Sequence, residues 1–200
     1  MSALFFSDRV SALVPQYKKF LEDEVYQVEL DILNNPFRKS LPLLKSLRAK
    51  AKEKKLWAPH LPVHDGGLGL SLSEFAHISE VLGTSPLGHY IFNCNAPDIG
   101  NMELMHQFAS AELKEKYLNP LMKGDIRSCF AMTEPEFAGS NPVDMATTAV
   151  REGDHYIING HKWFTTAADG ASFTIVMALT DPKNENPYLR ASMIVVPLDN

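Results

Sequence analysis

The chain has 200 residues, 24 acidic against 19 basic side chains for a net charge of −5, and 45 % hydrophobic residues. That balance excludes a disordered tail and a basic nucleic-acid-binding surface, and no apolar run is long enough to cross a bilayer as a helix. The length suits one large domain or two small ones.

The first nine residues lack the basic start and long apolar run of a secretory signal, so a soluble, intracellular protein is expected. Val10, Leu13, Val14, Tyr17, Phe20, Leu21, Val25, Val28 and Ile32 recur at three- and four-residue steps. This predicts one long amphipathic helix, capped by Ser7 and stopped before Pro36. A second helix over roughly residues 41–56 buries Leu43, Leu44, Leu47 and Ala51. Its Lys45, Arg48, Lys50, Lys52, Lys54 and Lys55 have no aromatic platform among them and read as a solvated face. Gly66-Gly67-Leu68-Gly69 has no strand before it and no Lys-Ser or Lys-Thr after it, so it is a turn and not a phosphate loop. Ser71 with Glu74 is a capping box for a third helix, with Phe75, Ile78, Val81 and Leu82 inward. Two more helices are expected over residues 102–108 and 110–122, with Gly124 as the stop.

Beyond Gly124 the period changes. Gly153-Asp154 and Asn159-Gly160 are hairpin-turn signals between segments rich in Val, Ile, Thr and Tyr. Residues 173–179 and 192–196 read as further strands, with the polar stretch 181–190 as a loop. The expected division is a helical domain over residues 1–125 and a β domain over 126–200. Cys94 and Cys129 form no CxxC pair, and the seven histidines show no HxxxH or HExxH spacing. Neither a disulfide framework nor a metal site is read from them, and two buried thiols in a reducing compartment are expected.

The segment 128–140 is the most informative. Its apolar run from Cys129 to Met132 predicts a buried strand whose pairing must end near Pro135. Thr133, Ala138, Gly139 and Ser140 then form a loop of hydroxyls and small residues. Such a loop suits close approach to a phosphate-bearing or flat heteroaromatic ligand, although a plain strand-to-loop turn has the same spacing.

Thr133-Glu134-Pro135 followed by Ala138-Gly139-Ser140 resembles the flavin-binding signature of the acyl-CoA dehydrogenases. Residues 156–166, Tyr-Ile-Ile-Asn-Gly-His-Lys-Trp-Phe-Thr-Thr, resemble that family's second flavin segment. Asn93-Cys94-Asn95-Ala96-Pro97-Asp98-Ile99-Gly100-Asn101-Met102-Glu103 is similar to the branch containing vertebrate members ten and eleven. The resemblance runs from about Val10 to the last residue.

The resemblance implies an α+β fold: an N-terminal all-α domain followed by a β-barrel-like middle domain, with the family's C-terminal helical bundle outside this chain. It implies FAD, an acyl-CoA substrate, an electron-transfer flavoprotein as electron acceptor, and a homodimer or homotetramer. The compartment would be the cytoplasm, or the mitochondrion or peroxisome of a eukaryote. Oxidation of an acyl thioester needs a carboxylate to take the α-proton and a flavin to take the β-hydride. The family's usual catalytic glutamate falls outside this chain, so no catalytic residue is assigned within it.

Carried over by motif, Thr133 would hydrogen-bond the pyrimidine edge, while Phe130, Ala131 and Met132 lend backbone contacts and wall. Gly139 and Ser140 would sit by the pyrophosphate, Ser140 also near the pantetheine arm of the substrate. Phe164 would stack on the ring, and Thr165 and Thr166 would lie at its edge, with Thr166 donating to N5. Glu134 reads as structural. Two departures stand out: one extra residue between Pro135 and Ala138, and Phe164 in place of the frequent Trp. The competing expectations are an oxygen-using oxidase or monooxygenase relative, and a non-catalytic acyl-CoA-, flavin- or partner-binding module.

Overall fold

The structure is a computed structural model and describes residues 7–139 and 141–198. Ser7 caps α1 (Asp8–Phe20), its Oγ accepting from the Val10 amide. The expected single helix to Pro36 is instead broken. After α1 comes a π-helical turn at Leu21–Val25, and the chain resumes as α2 (Glu29–Leu33). A π turn widens the helix by one residue and rotates the apolar stripe, so Phe20, Leu21, Val25 and Ile32 all stay buried.

The second helix, α3 (Phe37–Glu53), starts directly after Pro36 and accommodates Pro42 within it, so it begins earlier than the sequence suggests. Its basic face is not uniformly solvated. Arg48 is only 6 % exposed. It donates to Asn93 Oδ1 at 2.9 Å, to the Gly124 carbonyl at 3.3 Å and to the Tyr90 carbonyl. Its guanidinium also lies over the rings of Trp57 and Tyr90. Asn93, buried beside it with φ +58°, donates in turn to the carbonyls of Leu121 and Met122.

Both halves of the expected capping box start α4 (Leu72–Leu82), and Ser7 Oγ donates to Glu74 Oε1 at 2.8 Å, tying the first turns of α1 and α4 together. A short α5 (Gly88–Ile91), which the apolar pattern did not announce, precedes α6 (Asp98–Phe108). Then come α7 (Ala111–Leu113), a second π turn at Lys114–Leu118, and α8 (Asn119–Lys123). Gly124 ends α8 at φ +74°, a left-handed stop that an L side chain rarely adopts.

Among the described residues the β region is an open, mixed, five-stranded sheet and does not close into a barrel. β4 (Phe173–Leu179) pairs antiparallel with β5 (Ala191–Pro197) along its whole length. Its other edge pairs parallel with β1 (Ser128–Ala131), and at Leu179 with the start of β2 (Thr148–Glu152). β1 and β2 therefore follow one another along the same edge of β4, and the chain leaves and re-enters that edge between them. β2 and β3 (His155–Asn159) form the expected hairpin across Gly153-Asp154. Asn159-Gly160 makes no hairpin. The chain there enters a long connection, because β4 pairs with β2 on the side away from β3 and so cannot follow β3 by a tight turn.

One face of the sheet packs on the helices. Phe173 and Ile175 belong to the same buried cluster as Tyr17, Phe20 and Phe92, with Phe130 and Val195 packed against it. The rings of Tyr117 and Phe173 lie 4.8 Å apart. A smaller cluster on the opposite face holds Ala131, Ala149, Val176 and Ala178. Helix and sheet are also joined by polar groups. Asp98, 1 % exposed, accepts from the amide and hydroxyl of Ser128 at 2.8 and 2.6 Å. Asn101 donates to Ser128 Oγ and to the Cys129 carbonyl. The segment similar to the vertebrate branch thus holds the start of β1 in place. Among the described residues no helix is long and apolar enough to cross a membrane.

Candidate functional site

The two motif segments meet at the end of β1. Thr133 and Trp163 exchange hydrogen bonds: the Trp163 amide donates to the Thr133 carbonyl at 3.1 Å, and Thr133 Oγ1 donates to the Trp163 carbonyl at 2.7 Å. The proton of Thr133 is thereby committed inside the protein, so toward a ligand this hydroxyl offers acceptor lone pairs.

Glu134 and Lys162 lock the same junction one residue away. The Glu134 carboxylate is 2 % exposed. It accepts from Lys162 Nζ at 2.8 Å and from the amides of Ala146 and Thr147 at 2.6 and 2.9 Å. Lys162 also donates to the Met132 carbonyl at 2.8 Å. Burial pushes the Glu134 carboxyl up, but Lys162, Thr147 and the Ala146 amide outweigh it and hold the group at about 2. Glu134 is therefore an ionised clamp across the neck of the 134–147 excursion, with every carboxylate oxygen engaged, and is no free base.

Gly139 lies where the excursion folds back over Thr133. A Cβ on it would stand 2.1 Å from Thr133 Cγ2 and 2.7 Å from Thr133 Cβ. The close approach that requires glycine is to Thr133, and it shapes the loop from within. Ser140 lies outside the described residues.

Beyond Trp163 the chain turns outward. Phe164 has φ +49° and is 81 % exposed. A bulky side chain in the left-handed region is a backbone outlier, and this one presents a flat ring to solvent. The Trp163 and Phe164 rings lie 4.6 Å apart. Thr165 is half-buried and Thr166 exposed, followed by Ala167 at φ +71°. Phe130 and Ala131 are inside β1, Phe130 half-buried toward the helices and Ala131 buried in the opposite cluster. Met132 is half-buried at the strand's end.

The structure thus brings Met132, Thr133, Gly139 and the Trp163–Thr166 strip to one rim. That rim carries an exposed aromatic face, the exposed Thr166 hydroxyl, the Thr133 acceptor and the backbone at a strand end. Lys162, between His161 and Trp163, carries no local signal of this role, because its partners Met132 and Glu134 lie about thirty residues earlier in the chain.

Residues 7–125 match the acyl-CoA dehydrogenase N-terminal domain and residues 129–200 the acyl-CoA dehydrogenase middle domain. The chain belongs to the acyl-CoA dehydrogenase family. It is 37 % identical over 205 residues to acyl-CoA dehydrogenase family member 10 of Mus musculus, covering 97 % of this chain and 19 % of that protein. The structure of acyl-CoA dehydrogenase from Geobacillus kaustophilus is similar at a TM-score of 0.75 and 28 % identity, covering 99 % of this chain and 50 % of that one. A glutaryl-CoA dehydrogenase of Mycobacterium smegmatis, solved in complex with FADH2, shares the fold at a TM-score of 0.68 and 24 % identity, over 96 % of this chain and 46 % of that one. The chain therefore spans half or less of the length of these relatives.

Proposed function

We propose that this chain, divided near residue 125, is the helical and β portion of an FAD-dependent enzyme that introduces a double bond next to an acyl-CoA thioester. Its electrons pass to an electron-transfer flavoprotein, and it works as a homodimer or homotetramer. FAD, when bound, supplies the hydride acceptor. Phe164 offers the face on which the ring rests, and Thr166 donates to the ring edge. Thr133 accepts at the pyrimidine side, with the backbone of Phe130, Ala131 and Met132 as wall and Thr165 beside it. Gly139 and Ser140 border the pyrophosphate, with Ser140 near the pantetheine arm. The base that removes the α-proton is assigned to no residue of this chain.

The single observation that carries this reading is the mutual hydrogen bonding of Thr133 and Trp163, which puts both motif segments on one rim. The fold shared with a dehydrogenase holding FADH2 supports the cofactor. The test uses the full natural polypeptide. Thr166→Val removes a donor without altering shape, and loss of one such bond weakens retention of FAD, or slows its reduction by acyl-CoA, by about tenfold. Thr133→Val does the same while also releasing the Trp163 carbonyl. Unchanged flavin content and reduction rate in both variants would refute the residue roles. A folded, colourless polypeptide that refuses FAD would favour a binding module, and rapid reoxidation by air alone an oxidase.

A further inference from the structure

Away from the rim, the loop after Trp57 and helix α6 bring three metal-ligand side chains together. The 3-10 turn Val63–Asp65 presents His64 and Asp65, and α6 contributes His106. Asp65 Oδ2 stands 3.4 Å from His64 Nε2 and 3.5 Å from His106 Nε2, and all three ligand atoms lie within 4.8 Å of one another. Among the described residues this is the one such convergence of His, Cys, Asp or Glu side chains.

The Asp65 oxygen supplies a second, independent observation. The side chain is 16 % exposed, and Oδ2 is buried without a hydrogen-bond partner. A buried carboxylate oxygen with no donor is costly unless something else satisfies it. It is aimed between two imidazole nitrogens.

The spacing suits a small divalent ion. Tetrahedral ligands about 2.1 Å from zinc are separated from each other by roughly 3.4 Å. The two His–Asp separations match that edge. Two imidazoles with one carboxylate favour a transition ion over magnesium or calcium, which take oxygen ligands. The adjoining cavity of about 220 Å³ is lined by His60, Glu103 and Gln107 among others, leaving room for a water or for Glu103 as the fourth ligand.

We propose that His64, Asp65 and His106 bind one zinc-class divalent ion, which fastens the 58–70 loop to α6. α6 is the helix whose Asp98 and Asn101 hold the start of β1, so the ion would brace the element that positions that strand. The rival is plain ion pairing of Asp65 with two imidazolium rings, which takes up no metal.

The test uses the full natural polypeptide, stripped with a chelator and dialysed. Zinc chloride is titrated by calorimetry, and cobalt(II) chloride is followed by visible difference absorption. The expected result is one equivalent per chain, intense tetrahedral cobalt bands, and a rise in thermal midpoint on zinc addition. Asp65→Asn and His106→Gln weaken binding by at least about tenfold and abolish that rise. His64→Gln does the same and is the safest variant for folding, since its side chain is 77 % exposed. Circular dichroism confirms that each variant is folded, and His155→Gln, on the β2–β3 hairpin, binds as the parent does. No uptake by the folded parent overturns the proposal. So do several weak equivalents that persist in His64→Gln and Asp65→Asn.

Discussion

Replacing Glu134 by Gln tests the clamp that holds the two motif segments together. The carboxyl sits at about 2 against an ordinary 4.5, and at about 1.4 kcal/mol per pH unit that gap is worth roughly 3 kcal/mol of stability at neutral pH. The figure agrees with the cost of about 3–5 kcal/mol for removing one partner of a buried ion pair. Gln would turn an amide N–H₂ toward Lys162 or toward the amides of Ala146 and Thr147, leaving donors facing donors. Because the folded-state value is depressed, the contribution is complete above about pH 4.5 and is lost as pH falls through about 2. Urea unfolding at pH 7 should therefore show Glu134→Gln less stable by about 3 kcal/mol, with the gap closing as the pH is lowered toward 2. A neutral-pH loss below about 1 kcal/mol, the usual worth of an exposed pair, would refute the reasoning. So would a gap that ignores pH. Lys162→Met should show the same deficit, and the double variant should lose less than the sum of the two.

Gly139→Ala drives a methyl group into Thr133, whose Cγ2 is 2.1 Å from the new atom. Overpacking of this kind costs about 1–3 kcal/mol, readable as a lower urea midpoint, and FAD retention should fall with it. Unaltered stability would mean the loop is free to move off Thr133. Arg48→Lys keeps the charge but loses the fork that reaches Tyr90, Asn93 and Gly124 together. A buried donor set broken in this way costs about 1–3 kcal/mol for each acceptor left unpaired. An Arg48→Lys variant as stable as the parent by denaturant unfolding would remove Arg48 from the list of structural keystones.

What the sequence disclosed follows from how local each signal is. The Ser71–Glu74 capping box, the Gly124 stop and the Gly153-Asp154 hairpin depend on neighbours within four residues, and all three are found. Periodicity alone cannot show where a π turn absorbs a residue, so the single long N-terminal helix it predicts is broken at Leu21–Val25. Asn159-Gly160 carries the composition of a hairpin turn, but the parallel pairing of β2 with β4 overrides it. Arg48 looked solvated because its partners, Tyr90, Asn93 and Gly124, lie far along the chain. Resemblance points to the segments 128–140 and 156–166. Their mutual locking by Glu134 and Lys162 was not legible, and neither was the convergence of His64 and Asp65 with His106, since each joins distant stretches.

The shared packing of α6 and the first strands has a practical consequence for anyone dissecting this protein. A fragment beginning after residue 125 would leave Phe173 and Ile175 bare to water, along with the half-buried Phe130 and Val195, and would strip Ser128 of its Asp98 and Asn101 partners. Such a piece should be sticky and poorly ordered at the very edge that carries Thr133. Isolating the rim around Thr133 for separate study therefore requires keeping the helices attached.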